Sequence, residues 1–156
     1  TFVVAWARSA GAGMGAVIAL WSLLGLAVLA SPLAWRPLLA HWSGQTCMAL
    51  SIGVTGSGVA VAWAMPGNAG LQASAILIGL SFFIVPTEVT TLVRSSLPKP
   101  QWAPAVALFT AVFAASQAVG PIAAGWIADR SGTLFSGLLL GLGLLAAGTL
   151  AAWTQP

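Results

Sequence analysis

One acidic side chain, Glu88, lies inside a long apolar stretch of the sequence, two residues after Pro86. Counted back from Arg94, the first cation that follows it, Glu88 is expected about 9 Å inside the end of a helix. An ionisable group at that depth is costly and usually faces a cavity or a partner. Two interpretations stay open. Glu88 is a carboxylate that couples to a proton or a solute, or it is structural, paired with a loop arginine such as Arg36 or reaching the interface.

A second polar side chain, Gln117, precedes Gly120-Pro121 in another apolar stretch. Proline has no N–H, and its ring clashes with the carbonyl four residues earlier, so Pro121 frees the carbonyl of Gln117. Pro86 frees the carbonyl of Phe82 in the same way. Both positions predict a helix break with an open backbone acceptor beside a polar side chain. Gln117 either contacts a solute there or only hydrogen-bonds a neighbouring helix.

No catalytic or metal-binding pattern accompanies these two residues. A single His41 and a single Cys47 cannot form a usual zinc site. The two carboxylates, Glu88 and Asp129, are predicted on different helices and at different depths, which gives no hydrolytic pair. Asp129-Arg130 is interpreted as a solvated or boundary-setting pair at a turn. The sequence therefore predicts no enzyme, no metal site and no cofactor.

Composition indicates that these residues are carried by membrane-spanning helices. The 156 residues are 59% hydrophobic and include five basic and two acidic side chains, with a mean hydropathy of +0.99. So few charges cannot cover the surface of a soluble domain. The apolar runs are about twice as long as the alternating segments of a membrane β-barrel. The predicted fold is an all-α polytopic bundle in a lipid bilayer, and the formal charge of +3 reflects loop cations and no nucleic-acid surface.

Five complete spans and an N-terminal stub are predicted, each span close to the ~20 residues that cross the hydrocarbon core. Residues 1–7 are expected to be the end of a truncated helix, so residues 1–156 form one transmembrane domain of a longer protein. Ser31-Pro32 and Trp35-Arg36-Pro37 are predicted to end the first span and begin a loop. The predicted spans cover residues 14–30, 45–65, 71–93, 102–128 and 133–153.

The loops predict an orientation and the helix faces predict tight packing. Arg36, Arg94 and Lys99 fall on one side and Arg8 and Arg130 on the other, so the positive-inside rule places the first set in the cytoplasm. Stripes of small residues predict close helix approach. Tryptophans near the predicted ends are expected to form an interfacial belt; they are Trp6, Trp35, Trp42, Trp63, Trp102, Trp126 and Trp153.

One pattern resembles a known family. Gln117-x-x-Gly120-Pro121-x-x-Ala124-Gly125, followed by Asp129-x-x-Gly132 and a Gly-rich span, resembles helices eleven and twelve of major facilitator superfamily transporters. The stretch 1–8 resembles the end of helix seven in a bacterial subfamily often labelled YbfB/YjiJ. On that register the five spans are helices eight to twelve of a twelve-helix transporter.

A competing register is also possible, because Gly120-Pro121-x-x-Ala124-Gly125 resembles the helix-five motif of drug/proton antiporters in the same superfamily. The loop after the first span would then need an Asp-Arg pair where this sequence has His41-Trp42. That departure favours the C-terminal half.

The resemblance implies secondary, proton-coupled transport of a small solute by alternating access. It further implies a missing N-terminal half and a bacterial inner membrane as the location. The alternative, from another class, is a non-transporting membrane subunit that packs against a partner through its small-residue faces. If the reading frame upstream encodes the other half, the transporter interpretation stands.

Overall fold

The computed structural model describes residues 4–5, 8 and 11–154, and within these ranges it is a bundle of α-helices without a strand. A single 3-10 turn, Lys99–Gln101, precedes the fifth helix. Five stretches are long and apolar enough to span a membrane, which confirms the predicted helical membrane bundle. The predicted stub at residues 1–7 lies largely outside the described residues. The helices are α1 (Met14–His41), α2 (Gly44–Ala64), α3 (Asn68–Ser81), α4 (Ile84–Ser96), α5 (Trp102–Ser131) and α6 (Leu134–Trp153).

The first helix is longer than predicted. The sequence places a helix end at Ser31-Pro32, yet α1 continues through Pro32 and Pro37 to His41. Each proline removes one backbone hydrogen bond, but neighbouring helices and local adjustment make this tolerable inside a membrane bundle. The predicted loop from residue 31 to 44 therefore shrinks to Trp42 and Ser43. The prediction of a break at Pro32 was wrong.

Three turns follow from local chemistry. Ser43 is the N-cap of α2, and its hydroxyl oxygen accepts a hydrogen bond of 3.3 Å from the backbone N–H of Thr46. Gly67, with φ of 124°, precedes α3, and Gly132, with φ of 70°, ends α5. Both conformations strongly favour glycine. The predicted turn at Pro66-Gly67-Asn68 is thus confirmed. Asp129 and Arg130, which the sequence places at a turn, lie instead in the last turn of α5, and the turn is confined to Gly132 and Thr133.

The third span is interrupted as its proline predicts. α3 ends at Ser81 and α4 begins at Ile84, so the break falls four residues before the proline and includes Phe82, whose carbonyl Pro86 frees. The indole N–H of Trp35 donates a 2.8 Å hydrogen bond to the carbonyl of Leu80 in the last turn of α3. Carbonyls at a helix end need such outside donors. Trp35 is only 7% exposed, so its predicted place in the interfacial belt was wrong. Its hydrogen bond instead connects α1 to the interruption between α3 and α4.

Replacing Trp35 with phenylalanine is expected to destabilise the bundle. The ring volume is largely kept, but the Leu80 carbonyl loses its donor in an apolar setting, at a cost of about 1–3 kcal/mol. Thermal unfolding in detergent, followed by helical circular dichroism, should show a lower midpoint. Trp21→Phe is the matched control, because Trp21 lies on the same helix and is half-exposed. Equal midpoints for the two variants would contradict a structural role for the indole hydrogen bond.

The interior of the bundle is built around α2 and α3. α3 packs against α1 and α2, while α2 also packs against α4 and α6. The hydroxyl groups of Thr55 and Ser81 are 2.9 Å apart across the α2–α3 contact. A methyl group on Gly58 would lie 2.9 Å from the Ile78 side chain, which confirms the predicted close approach at this small residue. These contacts fix the interrupted span against the rest of the bundle.

The fifth helix is the least covered. α5 packs on α6 and touches α4, but most of its length is exposed. It runs through Gly120 and Pro121 without interruption, so the break predicted there does not divide the helix. The small-residue stripe on α5 (Ala107, Ala111 and Ala115) is exposed within the described chain. This face is therefore free to contact lipid or another protein surface.

Candidate functional site

A cavity opens where α1, α2 and α4 come together, at the end of the bundle that holds Trp42 and Ser43. We call it the Glu88 cavity. Its volume is about 780 Å³, within the usual range for small-molecule sites. Its wall combines one carboxylate with hydroxyl, amide and apolar groups. The lining residues are Leu39, Trp42, Ser43, Gly44, Gln45, Met48, Thr87, Glu88, Thr91, Leu92, Ser95 and Ser96.

Glu88 lies in the first half of α4 and is only 7% exposed. One carboxylate oxygen, Oε2, lies over the first residue of α2, because a methyl group on Gly44 would be 2.6 Å from it. The first backbone N–H groups of a helix lack intrahelical partners, and this end of the helix dipole is positive. Gly44 thus makes room for the carboxylate at a place that favours a negative charge.

The structural pairing left open by the sequence is not formed in the described part of the chain. No lysine, arginine or histidine lines the cavity around Glu88. The guanidinium carbon of Arg94 instead lies 5.8 Å from the centre of the Trp102 ring, and Arg36 is exposed on α1. Glu88 is consequently a buried carboxylate that faces a cavity without a counter-charge.

Gln117 does not belong to this cavity. The rings of Phe82 and Phe113 are 6.3 Å apart, which places the break of the third span level with the middle of α5. Glu88 follows Phe82 toward one end of the bundle, and Gln117 follows Phe113 toward the other. At the helical rise, they lie about 15 Å apart along the bundle. The structure does not bring the two predicted site residues together, and Gln117 is exposed on α5.

Several cavity residues could not be recognised from sequence. Trp42, Ser43 and Gly44 belong to a segment predicted as an ordinary loop, and Thr87 and Thr91 carry no motif. Helical spacing offered one usable signal, since Thr87, Glu88, Thr91 and Ser95 follow the i, i+3 and i+4 pattern of one helix face. That pattern predicts a polar stripe on α4, but only the fold shows that α1 and α2 close it.

Residues 1–153 match the family described as uncharacterised MFS-type transporter YbfB. The chain belongs to this family. No curated protein and no solved structure matches the chain. The suspected resemblance to YbfB-type members of the major facilitator superfamily is confirmed.

Membership in the YbfB-type family makes the chain an integral membrane protein of a transporter family. Its five apolar spans in the described residues imply contact with the lipid bilayer. Within this family member, the Glu88 cavity is the one place among the described residues where a buried carboxylate meets a space large enough for a solute. In the described residues no group of three metal-ligating side chains occurs.

Proposed function

We propose that the chain is the C-terminal half of a proton-coupled secondary transporter that moves a small solute by alternating access across a bacterial cytoplasmic membrane. The observation that carries this proposal is Glu88, a buried carboxylate without a counter-charge on an interrupted membrane helix. Ionisable groups inside membrane spans are costly, face a cavity or a partner, and commonly mark proton or solute paths. Broken helices near the membrane middle commonly line transport paths.

The exposed face of α5 supports a partner that completes the transporter. Gln117 lies on this face among apolar side chains. An amide facing hydrocarbon lacks hydrogen-bond partners and is costly. Contact with protein or with a water-filled path would remove that cost. An N-terminal half that packs on α5 would supply either environment.

The proposal is tested by flux measurements with the complete reading frame in sealed vesicles. Under an imposed pH gradient, a screen of metabolites and toxic compounds should find a solute whose movement stops when a protonophore removes the gradient.

The exposed stripe at Ala107, Ala111 and Ala115 favours a second candidate, a subunit that acts only through helix packing. Vesicles that move no solute, in a protein that co-purifies with a membrane partner, would support that candidate instead.

Replacing Pro121 with alanine is expected to slow transport. The variant regains the N–H that can bond the Gln117 carbonyl, and one backbone hydrogen bond contributes about 1 kcal/mol, or roughly fivefold in rate if α5 must bend. Solute flux in vesicles is the measurement. Pro104→Ala is the matched control, because Pro104 lies in the first turn of α5, where the N–H has no helical partner. Wild-type flux in Pro121→Ala would show that transport does not depend on the proline.

A further inference from the structure

We infer that the Glu88 cavity recognises an organic cation, a protonated amine joined to an apolar or aromatic body. This inference rests on the proposed function, since it names the class of solute for the same cavity. Glu88, Trp42 and the hydroxyl groups of α4 each contribute a separate argument.

The charge of the cavity favours a cation. Glu88 is the single ionisable side chain among its lining residues, and neither lysine nor arginine nor histidine is present there. The N-terminus of α2 is the one element that would attract an anion. That position is already taken, because the Glu88 Oε2 atom lies against Gly44. An anionic solute would meet the carboxylate with no compensating cation.

The hydroxyl groups along α4 present acceptors. Thr87 donates its hydroxyl hydrogen to the carbonyl of Phe83 at 2.9 Å, and Thr91 donates to the carbonyl of Thr87 at 3.1 Å. Ser95 likewise donates to Leu92 at 3.0 Å. With their hydrogens committed to the helix, these oxygens offer lone pairs to the cavity. An ammonium group, which has only donors, matches such a wall.

The Trp42 ring at the cavity is also suited to binding a cation. Cations lie over tryptophan rings at two other sites, with Arg94 5.8 Å from the centre of Trp102 and Arg130 4.0 Å from that of Trp126. The half-exposed ring of Trp42 carries no such cation within the described ranges. A cationic ligand over an aromatic face is stabilised by the ring quadrupole. Leu39, Met48 and Leu92 supply the apolar wall for its body.

The test uses the full-length protein in lipid nanodiscs and two probes of similar shape and opposite charge, 2-naphthylmethylammonium and 2-naphthoate. Equilibrium dialysis against empty nanodiscs should show saturable binding of the ammonium probe and none of the naphthoate. We expect Glu88→Gln to raise the ammonium dissociation constant by at least about tenfold, as for loss of one partner of a buried charge pair. Trp42→Leu should raise it about threefold.

The matched control is Asp129→Asn, the same chemical change at an exposed carboxylate, which should bind as the wild type does. Circular dichroism verifies folding of each variant. Equal binding of both probes, or unchanged ammonium binding in Glu88→Gln, would overturn the inference. Proton-driven flux of an uncharged solute together with such a result would leave the transporter proposal standing. Glu88-dependent ammonium binding without flux in vesicles would support the cation site and contradict transport.

Discussion

Glu88→Gln is expected to abolish solute-driven proton movement in vesicles that contain the complete transporter. Glutamine keeps nearly the same shape and a similar helix propensity, so α4 and its contact with Gly44 should persist. The amide cannot bind and release a proton, however, and the cavity lining provides no other acidic side chain in the described residues. A pH-sensitive dye enclosed in the vesicles measures the loss directly.

The control for this prediction is the other carboxylate of the chain. Asp129 lies at the exposed end of α5, next to an arginine that stacks on Trp126. Asp129→Asn removes the same charge without touching the cavity, and its proton movement should equal that of the wild type. If Glu88→Gln moved protons normally while folding as the wild type does, Glu88 would return to a structural role. If both variants lost activity equally, general damage to charge balance would replace coupling as the explanation.

The fold was largely predictable because composition leaves few choices. A chain with two acidic side chains and long apolar runs has to satisfy its backbone inside helices. The predicted spans at residues 45–65 and 133–153 agree closely with α2 (Gly44–Ala64) and α6 (Leu134–Trp153). Glycine residues indicate the turns at Gly67 and Gly132, where the backbone has positive φ. These features depend on local chemistry, which a sequence shows directly.

Prolines were harder to interpret, because their effect depends on neighbours. Pro32, Pro37 and Pro121 all lie inside continuous helices, whereas Pro86 follows a real interruption. At the interruption Trp35 supplies a donor to the Leu80 carbonyl. The side chain of Phe82 there approaches Phe113 of α5. A proline interrupts a helix where contacts from other elements stabilise the interruption. The sequence alone does not show which elements make those contacts.

The site was predictable in part. Glu88 was identified from its charge and depth, and the structure places it on a cavity. Its surroundings come from α1 and α2, more than 40 positions earlier in the chain for Trp42 and Gly44. Contacts at that separation depend on how the helices cross. The role of Gln117 remains a prediction, since its face of α5 is exposed.

Gly79→Ala is expected to destabilise the bundle. Gly79 lies in α3 where it crosses α1, and a methyl group there would be 2.6 Å from the backbone oxygen of Leu24 and 2.7 Å from the Cβ atom of Ala27. A backbone oxygen cannot rotate aside as a long side chain can, so the two helices must separate. Overpacking of this kind costs about 1–3 kcal/mol. The unfolding midpoint in detergent should fall.

Gly25→Ala provides the matched control on α1. A methyl group at Gly25 meets no atom within 4 Å, and alanine is favoured over glycine in a helix by about 1 kcal/mol in water. Its midpoint should equal or exceed that of the wild type. Adding Ala27→Gly to Gly79→Ala should restore part of the loss, because it removes one of the two close contacts and leaves the Leu24 oxygen in place. If Gly79→Ala unfolded at the wild-type midpoint, the crossing of α1 and α3 would have to be looser than these distances indicate. The position of the interrupted span, which α1 also holds through Trp35, would then need another explanation.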